Sequence, residues 1–397
     1  MNARPGATPE TQSTPPARDG SAASSRSRPA AGVGAVASRL PDFPWDRLIP
    51  FKARASEHPD GLVDLSVGTP VDPTPAVVQQ ALRRAADSPG YPMVWGTPSL
   101  RAAVIDYLTR RCGSVELTDD CVLPTVGSKE LVASLPAQLG IGPGQTVLIP
   151  EIAYPTYAVG ALLAGAEFIA SDATVAVGPR DVPLVWLNSP ANPTGRVLPP
   201  EHLRKVVTWA RERGAVVAVD ECYFECAWET EPVSVLDRTV NGGSLDSVLA
   251  VHSLSKRSNL AGYRAAFVAG DPKIVSALRE VRRHAGLMVP GPVQVAMEAA
   301  LGDDGHIEEQ RQRYMERRGL LRRALESAGF RIDHSEASLY LWATRGEPCM
   351  DTVAWLAERG ILCAPGDFYG AAGAQHVRVA LTATDERVDT AAQRLSV

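Results

Sequence analysis

The sequence predicts an α/β fold: a large domain with a mostly parallel sheet sandwiched by helices, plus a smaller α+β domain. Three observations carry this. Between about 121 and 270, short apolar runs alternate with helix-like stretches. The runs themselves (121–126, 146–149, 167–170, 183–187, 215–219 and 248–251) are continuous rather than alternating, the pattern of strands buried on both faces. Beyond 296 the text changes. One long helical stretch at about 305–328 leads into strand-like pieces at 330–333, 338–343, 361–363 and 376–381, with helices near 350–359 and 384–395.

In chain order, residues 1–38 are rich in Pro, Ser, Ala, Gly and Arg, and almost free of large apolar side chains. Such a segment cannot bury enough surface to offset its ordering entropy, so 1–38 reads as a disordered tail. Residues 39–75 read as an N-terminal arm and part of the small domain, 76–295 as the large domain and 296–397 as the small C-terminal domain. Phe43 and Trp45, set among prolines, suggest an extended arm whose aromatics dock on the parent domain or, as the sharper reading, across a dimer. Val63–Pro73 reads as a short strand running into a turn at Gly68, where a glycine lets backbone approach a ligand. Helical spacing follows at 74–87 and again from Ser99, separated by a turn-rich loop that holds two aromatics expected to be exposed, Tyr91 and Trp95. Pro199 and Pro200 open a helix whose inner stripe is Leu203, Val206, Val207 and Ala210, and Gly214 stops it. Gly366–Gly370 reads as a loop facing the cleft.

Composition excludes several classes of function. The chain is 45% apolar and 21% charged, with net charge −5 and no basic block of the kind nucleic acid requires. No apolar run approaches the roughly 20 residues of a membrane span. The six cysteines form no C-x-x-C pair, which points to free thiols in a reducing cytoplasm and away from a metal site.

In parallel sheets, ligands sit beyond the carboxyl ends of the strands. Gly127, Ser128 and Lys129 follow the first run and open a helix, whose free N–H groups make an anion cradle. Tyr154 follows the second and offers a flat ring. Asn192 follows 183–187, while Asp220 and Tyr223 follow 215–219. Ser253, Ser255 and Lys256 follow 248–251, and Arg264 comes eight residues after the lysine. Lys256 alone reads as an ordinary loop lysine. With the other four strand ends it completes a receptor for a flat, phosphorylated, nitrogen-containing electrophile. Pyridoxal 5′-phosphate answers that description. A lysine amine forms its Schiff base, a buried carboxylate keeps its pyridine nitrogen protonated, and an amide with a phenol holds its phenolate oxygen.

From about residue 40 onward the chain resembles the class I/II aminotransferases of the pyridoxal-phosphate fold type I. The resemblance rests on Asn188-Ser-Pro-Ala-Asn-Pro-Thr-Gly195, Asp220-Glu-Cys-Tyr223 and Ser253-Leu-Ser-Lys256 followed by Gly262-Tyr-Arg264, in the family's order and spacing. It implies that Lys256 is the Schiff-base lysine and proton shuttle. It also implies that Asp220 pairs with the pyridine nitrogen, that Asn192 and Tyr223 bond the phenolate oxygen and that Tyr154 stacks on the ring. The phosphate falls to Gly127, Ser128, Lys129, Ser253 and Arg264, with Ser255 beside them. Tyr91 matches a tyrosine that reaches the phosphate from the other subunit, which implies a homodimer with shared active sites. Gly68 matches a glycine lining the substrate. Arg378, in Gln375-His-Val-Arg-Val-Ala-Leu381, matches the arginine that clamps the substrate α-carboxylate.

Four further stretches (Leu40–Asp46, Leu65–Pro73, Ser338–Pro348 and Ala364–Gly370) are similar to the actinobacterial succinyldiaminopimelate aminotransferases of lysine biosynthesis. The implied exchange is between N-succinyl-LL-2,6-diaminopimelate and 2-oxoglutarate, giving N-succinyl-2-amino-6-oxopimelate and glutamate. Such a substrate needs a second cation for its distal carboxylate, and Lys129, Arg257, Arg282 and Arg345 are the candidates. Aspartate, N-acetylornithine or broad-specificity transamination and C–S lyase chemistry are the alternatives.

Overall fold

The computed structural model describes residue 34 and residues 36–396, so nearly all of the expected tail at 1–38 lies outside the described residues. From Arg39 onward the chain packs as one compact unit.

Strand β1 (Val63–Asp64) belongs to a small parallel pair completed late in the chain. The apolar runs then form a seven-stranded sheet: β2 (Val122–Val126), β3 (Thr146–Ile149), β4 (Glu167–Ala170), β5 (Leu184–Asn188), β6 (Val216–Asp220), β7 (Val248–Ser253) and β8 (Ala265–Gly270). Their order is β2-β8-β7-β6-β5-β3-β4, parallel throughout except for β8, which is antiparallel to β2 and β7. The small end holds β9 (Arg331–Asp333), β10 (Tyr340–Thr344), β11 (Ile361–Leu362), β12 (Ala364–Pro365) and β13 (Val377–Ala380). There β12-β13-β10-β9 form an antiparallel sheet, and β11 pairs with β1.

Successive residues of the central strands alternate between two apolar layers. Val185, Leu187, Val217, Val219, Val248 and Ala250 enter one. Leu184, Trp186, Ala218, Leu249 and Val251 enter the other. Continuous apolar text is what a strand needs when both its faces meet helices. The helix Pro200–Glu212 buries the expected stripe, Leu203, Val206, Val207 and Ala210. The long helix is Gly305–Ser327.

The structure corrects four expectations. The run 167–170 is not buried on both faces: β4 is the sheet edge and three of its four residues are exposed. Residues 44–56 are not an extended arm but a 3-10 turn, Pro44–Leu48, leading into the helix Ile49–Ser56. Trp45 docks on its own chain, with its ring 5.4 Å from Phe368. Trp95 is not presented to solvent like Tyr91. It lies between two guanidinium groups, Arg101 at 4.1 Å and Arg279 at 4.3 Å from the ring centre. Gly366–Tyr369 is a 3-10 turn in which Phe368 and Tyr369 are buried. Strand β8, absent from the expected runs, is half alanine and lacks the Val/Ile/Leu character of the other runs. No helix among the described residues is long and apolar enough to cross a membrane.

Candidate active site

The site is assembled at the carboxyl edge of the seven-stranded sheet. Ser253 ends β7, and its Oγ accepts a hydrogen bond from Ser255 N at 3.1 Å, capping the short turn Leu254–Arg257. That turn brings Lys256 inward, and its Nζ donates to the carbonyl of Gly68. Burial holds the Lys256 ammonium below the ordinary lysine value. The neighbouring Tyr340 opposes this, and the positive charge of Arg378 reinforces it.

Asp220 is the last residue of β6. It accepts hydrogen bonds from the Tyr157 hydroxyl at 2.9 Å and from Cys222 N at 3.1 Å. Burial lifts its carboxyl above the usual value, and these donors pull it only partly back. The Tyr157 ring stacks on Trp186, with centroids 5.1 Å apart. Sequence reasoning passed over Tyr157 because its position, after Tyr154, reads simply as the start of a helix.

Arg378 on β13 is 3% exposed. Its Nη1 donates to Asn192 Oδ1 at 2.9 Å and its Nη2 to the Ser66 carbonyl at 2.6 Å, while its Nε has no partner. Its guanidinium lies 4.0 Å from the ring centre of Tyr340 and 5.1 Å from that of Tyr369. Tyr340 also meets the Tyr223 hydroxyl at 2.9 Å. Burial, with Tyr340 next, keeps the Tyr223 phenol well above its ordinary value. Tyr340 and Tyr369 were therefore missed as site residues. Tyr340 sits in apolar strand text that reads as core, and Tyr369 sits in a glycine-flanked loop where nothing singles out the tyrosine.

Gly127 joins β2 to the helix Ser128–Gln138 with φ +82°, and a Cβ there would run into the Arg264 guanidinium. Arg264 enters β8 in the left-handed region, φ 54°, with its Nη1 on the Ala261 carbonyl at 2.8 Å. Because β8 runs against its neighbours, its first residue reaches the edge where β2 and β7 end. The helix N-terminus, Ser128, Ser253 and Arg264 thus border one another. Lys129 is exposed at the mouth of this cradle. Tyr154 is partly buried, its ring edge-on to Tyr157 at 5.9 Å. Tyr91 is 97% exposed.

Two of the four candidate cations for a distal carboxylate are already engaged. Arg282 makes a bidentate pair with Glu130, at 3.1 and 2.7 Å. Arg345 lies 4.2 Å from the Trp355 ring centre, with Glu347 at 3.6 Å. Arg257 is 5% exposed and lies on the Tyr107 ring, 4.5 Å from its centre, in the layer behind the sheet. A cation that the sequence reading passed over, Arg47, lies 5.3 Å from the centre of the Phe368 ring and pairs with Asp367 at 2.9 Å.

These residues fit pyridoxal 5′-phosphate on three counts. The Gly127 cradle has an arginine against it and no side chain of its own to fill it. Asp220 is a buried carboxylate with hydroxyl and amide donors but no cation within ion-pair distance among the described residues, as a partner to a pyridinium would be. The Lys256 amine is held toward its neutral form, as covalent chemistry requires.

Residues 60–395 match the family description "Aminotransferase class I and II". A probable aminotransferase of Mycobacterium tuberculosis is 58% identical over 387 residues, covering 96% of this chain and 93% of that protein. The 4-dedimethylamino-4-oxo-anhydrotetracycline transaminase OxyQ of Streptomyces rimosus is 59% identical over 357 residues, 90% of this chain and 99% of that protein. Among solved structures, a probable N-succinyldiaminopimelate aminotransferase from Thermus thermophilus superposes with TM-score 0.80 at 28% identity, covering 89% of this chain and 99% of that one.

Proposed function

The chain belongs to the class I and II aminotransferases, which depend on pyridoxal 5′-phosphate, and from that premise we propose that it transfers an amino group between a dicarboxylic α-amino acid and 2-oxoglutarate. The dicarboxylic part of this reading rests on the likeness to diaminopimelate aminotransferases, and the observation that carries the amino-acid part is Arg378. It is a buried guanidinium caged by two tyrosines, with a free Nε and no carboxylate partner among the described residues. A buried charge without a counter-ion is costly, and a planar fork matches a carboxylate. The substrate α-carboxylate is the missing partner.

When bound, the cofactor supplies an aldehyde that takes up the amino group and a protonated ring that withdraws electrons from the α-carbon. Gly127, Ser128, Lys129, Ser253, Ser255 and Arg264 hold its phosphate, and Tyr154 faces its ring. Asp220 faces the ring nitrogen, while Asn192 and Tyr223 serve the phenolate oxygen. Lys256, its amine pushed toward the neutral form by burial, is placed to remove and return the α-proton. Gly68 lines the substrate space, where its carbonyl orients the amine. Tyr91, wholly uncovered in one chain, belongs against the phosphate of a second copy, so the working unit is a homodimer.

The preferred amino donor is N-succinyl-LL-2,6-diaminopimelate, in lysine biosynthesis. The likeness to the Thermus thermophilus protein supports this reading. A second reading, amination of a ring ketone, is favoured by the 59% identity to OxyQ. Purified protein assayed with 2-oxoglutarate against succinyl-, acetyl- and free diaminopimelate, N-acetylornithine and aspartate, and with glutamate against a cyclic ketone acceptor, separates them. Preference for plain aspartate, or ammonia release in place of glutamate, would sink the diaminopimelate reading. The Lys256→Ala protein should lose multiple turnover, and wild-type turnover in that variant would overturn the role given to the lysine.

A further inference from the structure

Tyr340 opens β10 opposite Ala380 of β13, two residues from Arg378 on the same face of the sheet. This diagonal placement lays the Arg378 guanidinium over its ring at 4.0 Å. Its hydroxyl reaches forward to the Tyr223 hydroxyl, 2.9 Å away. It occupies the space beside Gly68, where any Cβ would strike it. The carbonyl of that same Gly68 receives the Lys256 amine. One side chain, 3% exposed, therefore touches the guanidinium, the phenol and the glycine that together surround the lysine.

We infer that Tyr340 is a positioning residue of the reaction centre with two separable duties. Its ring is the platform that keeps Arg378 flat for the substrate carboxylate, and its hydroxyl fixes the Tyr223 phenol and the polarity around the Lys256 amine. The inference rests on the aminotransferase reading above. It concerns this chain's own residues, so it can be tested on the cofactor-free protein as well.

Two variants divide the duties. Tyr340→Phe keeps the platform and removes the hydroxyl, whereas Tyr340→Leu removes both. The first measurement is the pH dependence of pyridoxal phosphate uptake by the apo-protein, with Lys256→Ala as the blank. Uptake through Lys256 needs its neutral amine, so the midpoint reports its titration. The charged and titratable groups facing that amine are Tyr340, Arg378, Cys222 and Cys226. A phenol oxygen beside an ammonium favours the charged form, so Tyr340→Phe should lower the midpoint by about half a unit or more. The second measurement is steady-state kinetics. Tyr340→Phe should lower kcat by roughly tenfold with KM for the amino acid close to wild type, as for loss of one buried hydrogen bond. Tyr340→Leu should in addition raise KM by about tenfold, as for loss of a desolvated cation–π contact. A merely structural role would lower the melting temperature and leave the midpoint in place. An unmoved midpoint and kcat in Tyr340→Phe, or equal KM values for the two variants, overturns the inference. If the wild-type protein transaminates nothing, the functional reading fails instead, and the uptake midpoint still decides the role of Tyr340.

Discussion

Both carboxylate oxygens of Asp72 are taken by one guanidinium, with Arg317 Nη1 on Oδ2 at 2.8 Å and Nη2 on Oδ1 at 2.7 Å. The two side chains are 9% and 3% exposed. Gln310 donates to the same carboxylate at 2.8 Å and accepts from Asn259 at 2.9 Å. Asp72 lies four residues past Gly68, and Asn259 three past Lys256. Both partners of the lysine–carbonyl contact are thereby fastened to one helix, Gly305–Ser327.

Removing one member of a buried pair leaves the other charge unmet. Asp72→Ala should therefore lose about 3 kcal/mol of stability in urea unfolding. In the surviving folded protein KM and kcat should both worsen, because Gly68 and Lys256 are no longer held in register. Unchanged kinetics would show that the fastening is structural only.

Acid should reveal the same pair. Burial pushes the Asp72 carboxyl up, but the bonds from Arg317 and Gln310 and the charge of Arg317 outweigh it, leaving it below the ordinary value. A carboxyl depressed on folding contributes fully above its unfolded value near 4 and loses that contribution as pH falls through the lower folded one. Stability measured from pH 6 downward should fall less steeply below about pH 4 in Asp72→Asn than in wild type.

Gly127→Ala should weaken pyridoxal phosphate binding by ~10-fold or more, the scale of one lost charge-assisted hydrogen bond. The added Cβ meets the Arg264 guanidinium and sits in a backbone conformation that L side chains rarely adopt. Equilibrium titration of the apo-protein checks this. Arg264→Lys in the Gly127→Ala background should recover part of the affinity if the collision is the cause.

Asp220 carries the opposite sign. Burial raises its carboxyl, so between the unfolded and the raised folded values the folded apo-protein holds a proton that the unfolded chain has released. Its unfavourable contribution grows as pH rises from about 4 through the raised folded value and is constant above it. Asp220→Asn should thus melt higher than wild type as apo-protein near neutral pH, with the difference vanishing below about pH 4. Turnover should fall by ~100-fold or more in the same variant. An apo-protein no more stable than wild type would mean that Asp220 is not destabilised by its burial.

The site was legible in sequence where polar residues interrupt continuous apolar text: Asn192, Asp220 and Lys256 stand out beyond β5, β6 and β7. The central sheet was legible for the same reason. Tyr340 and Tyr369 were hidden because a tyrosine in a strand or turn contributes mostly apolar area, and its hydroxyl partner comes from a remote segment. Strand β8 was hidden by alanine, which fills the space between β2 and β7 without the branched side chains that mark the other runs. The edge position of β4 was hidden because Phe168 and Ile169 read as interior. Arg282 and Arg345 looked available because their partners, Glu130 and Trp355, are distant or aromatic.

The reversed direction of β8 has a consequence for how the chain tolerates change. Lys256 and Arg264 are joined by only seven intervening residues, yet the proposed function assigns them to opposite ends of one ligand, so on that reading this connection acts as a fixed-length rod. Lengthening it by a single residue would loosen the covalent grip and the ionic grip together. The exposed margin at β4 contributes no residue to the site, and it is there that the chain can take up extra length and leave the chemistry intact.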